Sequence, residues 1–370
     1  MSSWCLISFI SIFLVAILFN IKSEISSYDI RNNNYKKLSI NIFYKRIYII
    51  IGILSFVLLC ATRSKESYDT ITYIEYLKQI DKMPFFELEG TYGIGFEIFT
   101  KILTLFIGSK YQLYFGAIAL LNCLIVYGAI KKIKTNCIDE FALYICFLGI
   151  YYNFIVLRQG IAISFIILAY VEFINSKRKW ILYVFLATLF HESAIVVILL
   201  LFFIIKVNIK KIVLYVIWLI SLFLYLTKIS NNIIVPILSF IYKCLPFQAF
   251  YKYFLYFDNV EFSDDISFLY LIYFIISLLI ISITKYKNVS LVYKKLECLN
   301  IIGLLFLGFF SGIPAIIRAV DYFLTCTYIF LVFYILKKFD MKIRRFILLG
   351  IFLIVVIFYL RIILKLVEIY

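Results

Sequence analysis

A series of long apolar runs, separated by short charged connections, constrains this chain more than any other feature. Runs that cross, or nearly cross, the ~30 Å hydrocarbon core of a bilayer lie near 4–21, 47–62, 112–130, 139–156, 159–174, 180–205, 212–228, 267–284, 297–313, 319–336 and 346–364. Apolar residues make up 65% of the 370 residues, and the mean hydropathy of +1.03 lies far outside the range of soluble domains. The sequence therefore predicts an all-α, polytopic integral membrane protein, with residues 1–370 forming a single polytopic membrane domain.

The charges of the connections assign the runs to the two sides of a membrane. Six basic segments hold 24 of the 37 lysine and arginine residues, at 22–46, 131–138, 175–179, 206–211, 285–296 and 337–345. Because cytoplasmic loops carry an excess of these residues, all six are predicted to be cytoplasmic. The connections at 63–91 and 229–265 contain more acidic than basic residues, which predicts outer loops.

Two segments must bend for this topology to be consistent. Glu97 and Lys101 lie four residues apart in an apolar stretch, so an interfacial or re-entrant helix is predicted within an outer loop at 63–111. The run at 180–205 has basic clusters on both sides, which predicts a hairpin that folds back at His191-Glu192-Ser193. With these two features the chain makes about 12 crossings, and both termini lie outside.

The composition limits the kinds of ligand and cofactor that the protein is expected to bind. A net charge of +16 suits nucleic acid in a soluble protein, but in a membrane protein the basic residues face membrane lipids, so no nucleic-acid partner is expected. The eight cysteines are scattered without a CxxC pair, which is typical of small buried hydrophobic residues. A single histidine and the absence of nucleotide-binding motifs indicate no cofactor and no metal.

Three polar residues stand alone beside apolar runs, and the predicted topology brings them to the outer face. They are Arg158 at the end of a crossing, His191 at the tip of the hairpin and Arg318 at the start of another crossing. The arginines suit headgroup contacts, and a histidine between helices suits capping or packing. The functional alternative is diphosphate binding through paired guanidinium donors and a general base or substrate orienter in the imidazole.

A catalytic Ser-His-Glu triad within His191, Glu192 and Ser193 is excluded by the expected geometry. Neighbours one and two residues apart on a helix do not face each other.

The early outer loop adds further candidates. In the stretch TRSKESYDTITYIEYL, residues Arg63, Asp69, Tyr73 and Tyr76 combine charge with aromatic rings. An interfacial amphipathic helix explains this composition, and so does a sugar site in which tyrosine faces stack on pyranose rings. Later in the chain, Asp321 follows Arg318 by three residues, which fits either a local ion pair or a catalytic carboxylate.

These motifs resemble those of the EpsG family of bacterial polysaccharide polymerases. The resemblance rests on RQGIA at 158–162, on ATLFHESA at 187–194, on the block with Asp69, Tyr73 and Tyr76, and on IIRAVDYF at 316–323. It spans roughly residues 60–330, and the wider family includes Wzy-type O-antigen and capsule polymerases.

The resemblance implies a GT-C-like glycosyltransferase at the outer (periplasmic or external) face of the bacterial cytoplasmic membrane. Such an enzyme transfers glycan from undecaprenyl diphosphate to the non-reducing end of a lipid-linked repeat unit of an O-antigen, capsule or exopolysaccharide. Arg158 and Arg318 would hold diphosphate or glycan, His191 would activate or orient the acceptor hydroxyl, and Asp69 would bind sugar or assist as base. Lipid-linked oligosaccharide, a chain-length regulator and the flippase of the same pathway are the implied partners.

Two other classes compete with the polymerase. A membrane O-acyltransferase that modifies the same polysaccharide would also have about ten crossings and an essential histidine, but its site must communicate with the cytoplasm. A lipid-linked glycan flippase or transporter would show related halves and charges at the middle of the membrane. The sequence has no internal repeat, and its isolated charges lie at the ends of apolar runs.

Overall fold

The computed structural model describes residues 35–63, 68–88, 92–133, 138–206, 209–229, 268–283, 290–311 and 314–336, with a few isolated positions elsewhere. Every regular element in these ranges is helical. The chain separates into two compact units, one formed by Met1–Ile195 with Leu336–Tyr370 and the other by Val196–Ile335. The predicted crossing at 4–21 lies outside the described residues, and most of the predicted outer loop at 229–265 does too.

The first unit is a helical bundle. Its elements are α1 Tyr35–Ala61, α2 Tyr68–Lys82, a 3-10 turn Phe85–Glu87, α3 Ile94–Ile107, α4 Tyr111–Lys131, α5 Ile138–Tyr144, a π turn Ile145–Gly149, α6 Ile150–Phe154, α7 Leu157–Ile174, α8 Trp180–Phe190 and a 3-10 turn Glu192–Ile195. Three described helices are long and apolar enough to cross a membrane, at Tyr111–Lys131, Leu157–Ile174 and Ile317–Leu336. The count of about 12 crossings stays a prediction.

Helix α7 lies at the centre of the first unit. It packs against α8 across a short turn, and the ring pairs Phe173–Trp180 and Phe165–Phe190, with centroids 6.2 and 5.7 Å apart, show that the two helices are antiparallel. On its other side the Lys132 Nζ lies 2.7 Å from the Glu172 carboxylate, so α4 and α7 end at the same level. The basic clusters at 131–132 and 177–179 therefore share one end of the unit, as the charge pattern predicts.

A buried polar network joins α4 to the π turn and α7. The Asn122 amide donates to the Asn153 side-chain oxygen at 2.8 Å and accepts from the Ser164 hydroxyl at 3.2 Å. Asn153 in turn donates to the Gly149 carbonyl at 2.7 Å. Gly160 lets the helices approach here, because a Cβ at this position would lie 2.6 Å from the Tyr152 carbonyl oxygen. The glycine of the RQGIA motif is thus explained by helix packing.

The predicted polar face of α3 is buried inside the unit. Glu97 and Lys101 are 1% and 8% exposed. Glu97 accepts a hydrogen bond from the Tyr92 backbone N–H at 2.9 Å, and Lys101 donates to the Ile80 and Asp81 carbonyls at 3.0 and 3.1 Å. Lys101 thereby caps the C-terminal end of α2, where unpaired carbonyls favour a cation. Tertiary packing thus gives each of these two side chains main-chain partners inside the protein, and the interfacial or re-entrant position of the helix stays a prediction.

Arg63 supports the break between α6 and α7. Its guanidinium donates to the carbonyls of Phe154 at 2.8 Å, Asn153 at 2.7 Å and Cys60 at 3.0 Å, and its Cζ lies 3.8 Å from the centroid of the Phe115 ring. Burial lowers the pKa of Arg63 to about 10, which keeps it charged at neutral pH. The side chain is 5% exposed, so its geometry is that of a structural residue and not the substrate-binding role expected from the outer loop.

The second unit has its own polar core. Its described helices are α9 Val196–Lys206, α10 Lys211–Thr227, α11 Phe268–Ile283, α12 Leu291–Phe310, α13 Pro314–Val320 and α14 Thr325–Leu336. The Ser277 hydroxyl donates to Asn300 Oδ1 at 2.7 Å, and Asn300 donates to the Leu324 carbonyl at 3.1 Å. In the two units Cys60, Cys123, Cys298 and Cys326 are free and buried, which confirms for these four the prediction made from their apolar surroundings.

We expect Arg63→Lys to lower the free energy of unfolding by about 2–4 kcal/mol, because an ammonium cannot serve three carbonyls arranged around a planar fork. Thermal unfolding of the purified protein in detergent measures this loss. Arg178→Lys is the matched control, since Arg178 is exposed in the turn between α7 and α8 and should change stability by no more than about 0.5 kcal/mol. Equal stability of the two variants would contradict the structural role of Arg63.

Candidate functional site

Arg158 is the second residue of α7, directly after the break in the chain at Ile155 and Val156. Its Nη1 donates to the Tyr92 carbonyl at 3.0 Å, and its Cζ lies 4.9 Å from the centroid of the Tyr92 ring. Among the residues that the structure describes, this is the one hydrogen bond that Arg158 makes, so its other donors remain available. No side chain caps the start of α7, and a helix N-terminus with an arginine favours an anion.

Residues 92–95, here called the strap, comprise Tyr92, Gly93 and the first two residues of α3, and they link Arg158 to the end of α8. Gly93 has a φ of +90°, which favours glycine. A Cβ on Gly93 would lie 3.1 Å from the Phe190 carbonyl oxygen, and one on Gly95 would lie 2.8 Å from the Leu189 Cβ. The strap therefore packs its backbone directly against the last turn of α8.

His191 ends α8 with an extended backbone, at φ −153° and ψ 111°. Its N–H donates to the Ala187 carbonyl at 3.0 Å, and its own carbonyl accepts from the Ala194 N–H at 3.0 Å. Because α7 and α8 are antiparallel, His191 and Arg158 lie at the same end of the unit, opposite the basic clusters. The predicted interruption of the apolar run at His191 is confirmed, while the direction of the segment after it stays a prediction.

His191 contacts Ser193, although residues two apart on a helix do not face each other. The His191 Nδ1 lies 2.6 Å from the Ser193 Oγ. Helical spacing does not apply to this pair, since His191 is extended and Ser193 belongs to a 3-10 turn. Glu192 is exposed, and no triad is formed within these three residues.

Tyr73 and Tyr76 use their rings in the protein core. The Tyr73 ring packs edge-on against Phe96 with centroids 6.2 Å apart, and the Tyr76 ring lies 5.9 Å from Phe96 and 4.3 Å from Tyr92. The two tyrosines are 8% and 4% exposed. Their faces are therefore covered by protein and are not open for stacking on a sugar.

The hydroxyl of Tyr76 is a buried polar group beside the strap. Within the described part of the chain it has no hydrogen-bond partner. Burial and the nearby Glu97 carboxylate raise the pKa of Tyr76, so this hydroxyl remains a neutral donor. The polar groups near Arg158 thus include a neutral phenol hydroxyl that lies beside Thr100 in the described part of the chain.

The remaining candidates are Asp69 in the first unit and Arg318 and Asp321 in the second. Asp69 is the second residue of α2, and its side chain lies outside the described residues. Arg318 is exposed in α13, and Asp321 just after that helix accepts a hydrogen bond from the Thr325 hydroxyl at 3.3 Å. Both belong to the second unit, so their convergence with Arg158 and His191 stays a prediction.

The sequence reasoning missed Tyr92, the two strap glycines and Ser193 as parts of this end of the unit. The paired glycines in TYGIG signal a close backbone approach, and they could have indicated the contact with another helix. Ser193 gives no comparable signal, because its contact with His191 depends on where α8 ends.

Comparison with known proteins links the chain to a family. The sequence model of the EpsG family matches residues 46–368, which is most of the chain. No curated protein and no solved structure matches the chain.

We expect Gly95→Ala to destabilise the protein by about 1–3 kcal/mol, because the new methyl group would overlap with Leu189 at the end of α8. Gly128→Ala is the matched control, since a Cβ there meets nothing within 4 Å and alanine favours a helix by up to about 1 kcal/mol. Unfolding midpoints of both variants in detergent provide the measurement. A Gly95 variant as stable as the Gly128 variant would rule out tight contact between strap and α8.

Proposed function

The chain belongs to the EpsG family, whose members are polysaccharide polymerase-like membrane proteins, and on this basis we propose that it is a glycosyltransferase that polymerises a surface polysaccharide. Its donor would be a glycan linked to undecaprenyl diphosphate, and its acceptor the next lipid-linked repeat unit. The product would be an O-antigen, capsule or exopolysaccharide chain.

The proposed reaction exchanges one bond to the anomeric carbon for another. The hydroxyl at the non-reducing end of the acceptor attacks that carbon and loses its proton, and the bond from the carbon to the diphosphate oxygen breaks. Undecaprenyl diphosphate leaves with the electron pair of that bond. A catalyst must therefore stabilise negative charge on the diphosphate and orient or activate a hydroxyl.

The observation that carries this proposal is the placement of Arg158 and His191 at one end of the first unit, joined by the strap. Arg158 supplies guanidinium donors at the uncapped N-terminus of α7, an arrangement that suits phosphate oxygens. His191 supplies an imidazole at the end of the antiparallel helix α8. In this assignment Arg158 holds the diphosphate, and His191 activates or orients the acceptor hydroxyl.

Three residues complete the assignment. Arg318 is exposed and would hold diphosphate or glycan, Asp69 would bind sugar or assist as base, and Asp321 would contact substrate. Arg63, Tyr73 and Tyr76 are buried and act in this proposal as support for the site and not as ligands of the sugar.

The proposed location is the bacterial cytoplasmic membrane, with the site open to the periplasm or the cell exterior. The separation of the basic clusters from the Arg158 end of the unit supports this orientation under the positive-inside rule. A flippase that delivers the repeat unit and a regulator of chain length are the partners that such a reaction requires.

We expect deletion of the gene to collapse the ladder of polysaccharide lengths on a gel to a single capped repeat unit. Return of the native form should restore the ladder, while His191→Ala and Arg158→Ala should reduce polymer at least ~100-fold, as loss of a catalytic or positioning group does. Arg318→Ala tests the second unit in the same assay. Arg178→Ala is the control arginine, because it is exposed at the opposite end of the first unit and should leave the ladder unchanged.

Membrane abundance of each variant is measured in parallel, because a misfolded protein would also shorten the ladder. A ladder of unchanged length with altered mobility or acetyl content would overturn the polymerase and favour the acyltransferase. A normal ladder from a stable His191→Ala protein would remove that residue from the mechanism.

A further inference from the structure

The contact between His191 and Ser193 is a side-chain hydrogen bond at the proposed site. The His191 Nδ1 and the Ser193 Oγ are 2.6 Å apart, and both side chains are partly buried. The hydroxyl of Ser193 makes this single hydrogen bond within the part of the chain that the structure describes. Its position is fixed by a 3-10 turn that starts where α8 ends.

Such a bond restricts the imidazole in two ways. It restricts the rotation of the ring about the Cβ–Cγ bond, and it biases the proton between the two ring nitrogens. A group that holds one nitrogen directs the chemistry of the ring through the other, as the residue that orients the base does in catalytic triads.

We infer that Ser193 is a positioning residue for His191, which holds the ring through Nδ1 in one orientation and one tautomer. The inference rests on the proposed function for the claim that the orientation serves glycosyl transfer. The hydrogen bond itself does not depend on that function, and the two claims are tested by different measurements.

The charged groups on the described elements around His191 stay intact in a Ser193 variant. They are Glu192 on the same turn, Arg158 at the start of α7 with Glu172 at its far end, and Glu97 and Lys101 on α3. A change in the imidazole of a Ser193 variant therefore reports on the hydroxyl and not on a lost charge.

The composition of the chain makes this test specific. His191 is the only histidine among the 370 residues, so labelling with ¹⁵N-histidine marks one residue of the full-length protein. The protein is purified in detergent through an affinity tag that contains no histidine. The ¹⁵N signals of the two ring nitrogens then report tautomer and hydrogen bonding directly, at a pH about 1.5 units above the ordinary imidazole pKa of ~6.5.

Three variants separate the effect of the hydroxyl from that of its surroundings. Ser193→Thr and Ser193→Val have nearly the same shape and differ by the hydroxyl, so both share any cost of the larger side chain. Thr188→Ala removes another hydroxyl one turn earlier, which bonds to the Phe185 carbonyl at 2.6 Å and not to His191.

We expect the native protein, Ser193→Thr and Thr188→Ala to show the same hydrogen-bonded Nδ1 signal. Ser193→Val should move that signal to the position of an imidazole nitrogen without this bond. In the polysaccharide assay Ser193→Val should form at least about ten-fold less polymer than Ser193→Thr, because a misplaced catalytic group costs rate.

Each outcome decides a separate claim. Identical Nδ1 signals in Ser193→Thr and Ser193→Val would overturn the hydrogen bond. Different signals with equal polymer formation would overturn the positioning role. If the native protein itself forms no polymer while the signals differ as expected, the proposed function fails and the hydrogen bond stands.

Discussion

The fold of the first unit depends on the hydrogen bonds that its backbone carbonyls receive where one helix ends and the next begins. In an apolar environment an unpaired carbonyl costs several kcal/mol, so a helix break needs its own donors. At the end of α6 the carbonyls of Asn153 and Phe154 both receive hydrogen bonds from the Arg63 guanidinium. This allows α7 to begin at Leu157, with the half-buried Arg158 in its first turn. Arg63, which follows α1, thus stabilises the helix break that positions Arg158 in the proposed site.

The contacts of the strap extend this arrangement to His191. Tyr92 is held through its carbonyl by Arg158 and through its N–H by Glu97, and the following glycines touch the end of α8. Two residues from different helices are therefore placed by one short segment. In the proposed reaction, this arrangement would keep the guanidinium of Arg158 and the imidazole of His191 at a fixed separation.

The positions of Arg158 and His191 along their helices could be predicted from the sequence because they follow from hydropathy and charge. Arg158 interrupts two apolar runs, and His191 lies midway between two basic clusters, so both had to lie opposite those clusters. The burial of Tyr73 and Tyr76 could not be predicted, because it depends on α3 covering α2 and not on any local pattern. The burial of Glu97 and Lys101 could not be predicted either. Their spacing indicates that they share one face of a helix, but it does not indicate whether that face contacts lipid or another helix. The Ser193 contact depends on a change from α-helix to 3-10 turn within a single residue, which no periodicity reveals.

The polar network around Asn122 has a consequence for biosynthesis. Helix α4 leaves the ribosome before its partners, and the Asn122 amide is paired by Asn153 and Ser164, which follow 31 and 42 residues later. At a synthesis rate of roughly 5–20 residues per second, the amide waits several seconds for these groups. During that time α4 carries an unsatisfied amide, which favours retention at the site of insertion over release into lipid. The arrival of Ser164 completes the network.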